Sequence, residues 1–447
     1  MLAASLAVCL VVAGLAWKRE NDRASAQERV ALAHRLALHA VDLRDAAPGT
    51  ARTLGLAAVK IHSDGQTRAG LTDTLLGERG DDLTLTPSSE VALSGDGRIA
   101  LTGGDDDEVS VWDLTTWLDS EITEKSDRIA ALRGHKENVG AVALSFDGRT
   151  ALTGDDDGTT IVWDLADPAK PIRMAAVVNE RGAEYAESVR AVALSRDGRT
   201  AVIAGSDVTM WDLTDRSRPA RLPAAAHASS VHDLGLSADG EIALVVENRT
   251  ATTLWNLAVP SRPASPTGPV PLARSVAAAM SADGRFVVLG NAYQAEAWNL
   301  GDRSRPVRTA VFDLPLTDVY DVALTSDGMT ALLAGPNDSA FLWDLSDQAG
   351  PARMAALKGY TREINSVALS ADGGIALAAG PGGVSLWNLH DLRDVVADPG
   401  KAACDGYTNA KIDRVDWARY TGSADWSDYG QEDWDTLLVC FIDTSSA

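Results

Sequence analysis

The side chains that could do chemistry in this 447-residue chain are seven histidines, three cysteines and two acidic runs. The histidines, His34, His39, His62, His135, His227, His232 and His390, include no pair at the close helical spacing of a metal site. Cys9, Cys404 and Cys440 lack the paired spacing of a zinc site and are too few for a disulfide scaffold. Asp105-Asp106-Asp107-Glu108 and Asp155-Asp156-Asp157 raise the question of calcium, but they lack the alternation of an EF-hand loop. Both runs fall between strand-like segments, where aspartate favours bonding to its own backbone, and they read as solvated turns. No G-x-S-x-G nucleophile turn and no G-x-x-x-x-G-K-[ST] phosphate loop occurs. Asn248-Arg249-Thr250 matches a glycosylation triplet of a kind that is common by chance. The sequence therefore predicts no catalytic residue, no metal ligand and no cofactor, and reads as a non-enzyme.

What must position any functional residue here is a repeat. Tryptophans of a W-[DN]-L motif stand at Trp112, Trp163, Trp211, Trp255, Trp298, Trp343 and Trp387, with successive differences of 51, 48, 44, 43, 45 and 44. A second marker keeps the same period: Asp96, Asp147, Asp197, Asp239, Asp283, Asp327 and Asp372, each followed by glycine. Asp-Gly between two alternating apolar runs is a hairpin signal. A third marker is the proline of Pro171-Ile172-Arg173, Pro219-Ala220-Arg221, Pro306-Val307-Arg308 and Pro351-Ala352-Arg353, suited to an outer strand that tolerates a missing donor. The period lies near the roughly 40 to 45 residues of a four-stranded blade.

The most complete copy, Arg133 to Leu165, holds Gly134-His135, a VALS run at Val142 to Ser145, Asp147-Gly148 and Trp163-Asp164. It resembles a WD40 repeat. The resemblance implies an all-β fold, a seven-bladed WD40-type β-propeller, preceded here by an N-terminal α-helical segment. It also implies a buried hydrogen-bonded chain across the second blade from His135, Thr153, Asp157 and Trp163, with Asp157 chosen because it lies six positions before the tryptophan. The other six periodic tryptophans are the expected structural anchors of their blades. Only the second repeat has Gly-His, so apolar packing must hold most blades without the polar chain. In the family the outer strand of the last blade comes from the N-terminal side, for which 71–76 and 83–86 are the candidates.

The flanks have a different character. Residues 1–18 contain an uncharged apolar run that ends at Lys18-Arg19, borderline against the roughly 17 to 20 residues of a spanning helix, and are expected to be a membrane anchor. Lys18, Arg19 and Arg23 follow that run, which places a single-pass protein with its propeller on the cytoplasmic side; a disulfide between Cys404 and Cys440 would argue for the other side. Residues 19–77 read as a helical connector with apolar positions Leu32, Leu36, Ala40 and Leu43, broken at Pro48-Gly49 and Ser63-Asp64-Gly65. The propeller is expected over 83–392, and 393–447 is an acidic tail with Trp417, Trp426 and Trp434. This arrangement resembles the membrane-linked propeller portion of bacterial, actinobacterial-type, signalling proteins, which implies a nucleotide-driven switch or a kinase upstream or in a partner chain.

A formal charge of -23 makes nucleic acid an unsuitable partner, since phosphate binding needs clustered Lys and Arg. The expected partner is a protein or peptide, bound by a non-enzymatic scaffold or sensor that is otherwise a monomer. Comparison of the repeats locates the surface. Loops joining the first to the second strand and the third to the fourth are nearly uniform, as folding alone requires, whereas those on the opposite face vary. Tyr185, Tyr293, Tyr360 and Arg362 lie on varied connections of different blades, and Tyr and Arg are the residue types that most often dominate binding energy.

Overall fold

The computed structural model describes residues 26–392 except 45, 80–88, 104–106, 116, 118–127, 179–187, 206, 223–230, 248–251, 258–264, 271–274, 292–293, 304, 313, 315–317, 337–338, 348–349, 359–362 and 391. It divides into a helical unit and a propeller unit.

In the helical unit, helix α1 covers 26–43, α2 Pro48–Ile61 and α3 Gly65–Arg79. Leu32, Leu36 and Ala40 of α1 are buried, as are Leu54 and Ala58 of α2 and Leu71 and Leu75 of α3. Pro48 opens α2, where its missing N–H has no helical partner to lose. Asp64 starts α3 by accepting a hydrogen bond from the Thr67 amide at 2.9 Å, while the Thr67 hydroxyl takes the Asp64 amide at 3.0 Å, a reciprocal cap.

The expectation of a single-pass membrane protein is corrected. Among the described residues no helix is long and apolar enough to cross a membrane. With 14 and 15 residues, α2 and α3 fall short of the required length, and α1 carries Glu28, Arg29, Arg35 and Asp42. Residues 1–18, on which that expectation rested, lie outside the described residues, as does the tail 393–447. The assignment to the cytoplasmic side falls with the anchor.

The propeller unit consists of seven antiparallel sheets. Their innermost strands are Glu90–Leu93, Val139–Leu144, Ala191–Leu194, Val231–Leu236, Ser275–Met280, Asp321–Leu324 and Ser366–Leu369. Each of these lies beside its successor, and the last lies beside the first. Outer strands begin one residue after Pro171, Pro219, Pro306 and Pro351, where proline removes no ladder bond. Six blades have four strands and the seventh has three, Ser366–Leu369, Ile375–Gly380 and Gly383–Asn388, among the described residues. Residues 71–76 are helical and do not supply the missing strand, which corrects one candidate for ring closure. The other, 83–86, lies outside the described residues.

The core is a set of layers between blades. Trp163 packs on Leu101, Val109 and Val111 of the first blade, Trp298 on Leu244 and Leu254 of the fourth, and Trp343 on Val288 and Ala297 of the fifth. Trp112 closes the circle against Leu377 and Leu386 of the seventh. These four W-[DN]-L motifs thus pack on the blade before their own, which explains why the repeats need one another to bury their tryptophans.

The Asp-Gly hairpins do more than reverse the chain. In each blade the hydroxyl two residues before the aspartate donates to its Oδ1 at 2.6–2.7 Å, as Ser145 does to Asp147. The same hydroxyl accepts the amide that opens the second strand. Glycine follows at φ between 67 and 75°, a left-handed conformation that a side chain would strain. The residue between Ser and Asp then reaches the neighbouring blade. Gly95 N donates to Phe146 O, Phe146 to Arg196, Arg196 to Ala238, Ala238 to Ala282, Ala282 to Ser326, Ser326 to Ala371, and Ala371 back to Gly95, all at 2.9–3.2 Å. This closed circle of seven backbone bonds is the physical reason that this face is uniform.

Candidate functional site

The inner strands surround an axial cavity of about 500 Å³. One position of the strand recurs in every blade: Glu90, Ala141, Ala191, Asp233, Ala277, Asp321 and Ser366. It is the first or third residue of its strand, away from the Asp-Gly turn, so it stands toward the varied face. Where four blades place Ala or Ser, three place carboxylates. Glu90, Asp233 and Asp321 line the cavity with Arg190, His232 and Tyr320. Arg190, His232 and Tyr320 are exposed, Tyr320 at 39%.

Backbone amides hold the two aspartates. Asp233 accepts from Leu234 N and, across the blade boundary, from Ala278 N, both at 2.7 Å. Asp321 repeats the arrangement with Val322 N and, in the next blade, Val367 N, again at 2.7 Å. Burial nevertheless dominates. It pushes Asp233 up to about 6, and burial together with the charge of Asp233 pushes Asp321 up to about 7. Glu90 is raised well above the usual carboxylate range by burial and then by Asp321 and Asp233, against a hydrogen bond from Ser366. The cavity therefore holds protons near neutral pH. Among the described residues no three His, Cys, Asp or Glu side chains are placed to hold a metal ion.

In the second blade, His135 Nε2 lies 2.6 Å from Thr153 Oγ1, which accepts the Trp163 indole N–H at 2.9 Å. His135 Nδ1 lies 2.7 Å from Oδ2 of Asp155, not of Asp157. The expectation that Asp157 completes this chain is corrected. Asp155 is the last residue of its strand; its Oδ2 meets the imidazole while its Oδ1 takes the amides of Asp157 and Thr159 around the turn. Asp157 accepts the Thr159 amide at 3.0 Å and hydrogen-bonds Asp155. Burial and that contact raise Asp155, and the same contact lowers Asp157. Counting back from the tryptophan cannot separate three consecutive aspartates, because the choice depends on where the strand ends in the folded blade.

The other tryptophans find local partners. Trp112 donates to Thr102 at 3.1 Å, Trp211 to Thr209, Trp255 to Thr253, and Trp298 to Glu296, which also takes Arg308 at 2.9 Å. Trp343 Nε1 is buried without a hydrogen bond, and its ring meets Phe312 edge-on at 5.2 Å. Trp387 is buried. Tyr185, Tyr293, Tyr360 and Arg362 lie outside the described residues. The reading of the sequence missed Glu90, Asp233, Asp321 and Ser366; a comparison of the inner strands at one position, acid against alanine, was the available signal.

These features define a seven-bladed β-propeller. The family described as "WD domain, G-beta repeat" matches residues 86–113 and 126–164, within the first two blades. Over 150 residues the chain is 39% identical to an NAD(+) hydrolase, ApTIR, of Actinoplanes sp., covering 34% of this chain and 14% of that protein. It is also 39% identical over 67 residues to the small ribosomal subunit protein RACK1y of Oryza sativa subsp. japonica, 15% of this chain and 17% of that one. The chain thus spans less than a fifth of either relative. The crystal structure of the Cps50 (Swd1) β-propeller domain of Myceliophteria thermophila is similar in fold. It superposes with a TM-score of 0.55 at 16% identity, over 69% of this chain and 99% of that one.

Proposed function

We propose that this chain is a non-enzymatic propeller scaffold that captures a protein or peptide on its varied face, with the mouth of the axial cavity at the centre of the contact. The observation that carries this reading is the cavity itself, about 500 Å³, with three carboxylates in its wall and exposed Tyr320 at its rim. A cationic side chain entering the cavity would displace the protons of that wall and pair with the carboxylates, and the aromatic rim supplies contact area around it. Tyr185, Tyr293, Tyr360 and Arg362 are proposed as outer anchors of the same contact. The test is fluorescence anisotropy with matched basic and acidic peptides. Basic peptides should bind, acidic ones should not, and Tyr320→Ala should weaken binding by about tenfold, or about 1.4 kcal/mol. Equal binding of both peptide classes would defeat the reading.

One observation favours a second reading, the regulatory propeller of a larger signalling protein with an NTPase switch or kinase upstream or in a partner. The Actinoplanes hydrolase matches this chain over 14% of its length, so in that protein a stretch like this one is a small part of a larger enzyme. Nucleotide turnover by a co-purifying partner, changed by adding this chain, is the measurement that separates the two readings.

A further inference from the structure

Seven seams between neighbouring inner strands surround the axial cavity, and one of them stands open. An inner strand is paired along one edge only, so every second amide faces the axis. In blades 2 and 3 the Ser145 and Ser195 amides bond the second strand at 2.8 and 2.9 Å, which turns the Val142 and Val192 amides toward the cavity. Their counterparts in the other blades have acceptors. Asp233 takes the Leu234 amide on Oδ1 and the Ala278 amide of blade 5 on Oδ2, both at 2.7 Å. Asp321 bridges the Val322 and Val367 amides in the same way, and Ser366 Oγ takes the Val91 amide at 3.4 Å. Val142 and Val192, facing each other across the seam of blades 2 and 3, have no acceptor for their amides among the described residues. The seam is open because the counterpart of Asp233 in blade 2 is Ala141, whose side chain stops at Cβ. Gly140 before it adds no side chain either. Arg190, the neighbour of Ala191, lines the same cavity from an exposed position and has no ion pair among the described residues.

We propose that the seam of blades 2 and 3 binds the C-terminal carboxylate of a captured peptide, its two oxygens accepting from the Val142 and Val192 amides. The chain supplies its own template for this contact. At the seams of blades 4 and 5 and of blades 6 and 7, one carboxylate spans the two equivalent amides with bonds of 2.7 Å. At the open seam the amide pair is present and the carboxylate is not, so a ligand has to bring it. Converging backbone N–H groups are a general means of holding a peptide's end, and Arg190 adds a charge that a carboxylate can pair with.

The rest of the wall restricts what accompanies that carboxylate. Glu90, Asp233 and Asp321 face the same space, so an anion that carries no positive charge of its own is repelled. A terminal lysine brings both charges, its carboxylate for the open seam and its ammonium for the acids. A cavity of about 500 Å³ has the size of a small-molecule site, which suits a chain end better than a loop.

This site rests on the proposed capture of basic peptides at the cavity, and its test separates the two. Fluorescence anisotropy with the full chain compares a peptide ending in Gly-Ser-Gly-Lys as the free acid and as the carboxamide. A carboxamide presents one oxygen and one N–H group and cannot accept from both amides, so it should bind at least about tenfold more weakly, or about 1.4 kcal/mol. An amidated peptide with Asp before the Lys carries a carboxylate away from the chain end and should bind no better than the carboxamide. Ala141→Asp places a carboxylate where Asp233 has one and should erase the preference for the free acid. Equal binding of acid and carboxamide by the parent would overturn the site and leave capture of basic peptides standing, whereas binding of neither would overturn both. Tighter binding of the Asp-bearing peptide, or a preference that survives Ala141→Asp, would also count against it. The ratio measured on the parent decides the matter even if the variant fails to fold.

Discussion

The amide of Ala371 donates to the carbonyl oxygen of Gly95 at 2.9 Å, joining residues of the seventh and first blades and completing the circle of seven turn-to-turn bonds. A propeller must bring the ends of its chain together, and here backbone groups of the turns do so on one face irrespective of which strand completes the last sheet. Ala371→Pro deletes the closing donor. It should lower stability by about 1–3 kcal/mol in urea unfolding, the cost of losing the hydrogen bond that closes the ring. A loss below about 0.5 kcal/mol would show that closure is carried elsewhere.

The three aspartates of the second blade separate cleanly by mutation. Asp155→Ala leaves His135 buried without its carboxylate and should cost about 2–4 kcal/mol, whereas Asp157→Ala, at the rim of the turn, should cost about 1 kcal/mol or less. Trp163→Ala should cost about 3–5 kcal/mol as a large core truncation. Equal effects of the two aspartate changes would return the polar chain to the residue chosen by spacing.

Stability should fall as pH rises through neutrality. Asp233 at about 6 and Asp321 at about 7 lie above the roughly 3.9 of an unfolded aspartate, so between about pH 4 and pH 7 the folded chain binds more protons than the unfolded one. Their stabilising effect is complete below that window and is lost as pH rises through the folded values. Calorimetry should give a higher Tm at about pH 5 than at about pH 8. A Tm that climbs over this range would contradict the assigned burial of the pair.

Gly154 and Gly290 occupy equivalent places in blades 2 and 5, where Val189 and Val319 from the segment leading into the following blade would meet any Cβ inside van der Waals contact. Gly154→Ala should therefore destabilise by about 1–3 kcal/mol although it enlarges the chain by one methyl group. Gly140→Ala, with only the Val189 carbonyl at 3.8 Å, is the matched control and should be tolerated.

The proposed outer anchors can be separated from fold effects. Tyr360→Ala with Arg362→Ala should reduce capture of a partner by about tenfold, near 1.4 kcal/mol, and leave Tm nearly unchanged. Undiminished capture, with stronger loss from changes in the 115–128 connection, would move the contact to the uniform face.

The sequence by itself determined the number and phase of the blades, because Trp-Asp, Asp-Gly and the proline of the outer strand recur with one period and each acts through local geometry. A hairpin turn, a strand's alternation and a helix cap depend on neighbours a few residues away, and those neighbours are visible in a linear reading. The tertiary structure alone decided which oxygen of an aspartate run faces His135, because that depends on the register of Val139–Leu144 against Thr150–Asp155. Only the folded ring brought Glu90 within the influence of Asp233 and Asp321, residues far apart in the chain, and turned three scattered acids into one cavity wall. Proton affinity near neutrality is a property of that shared burial and repulsion, and no segment possesses it before the seventh blade meets the first.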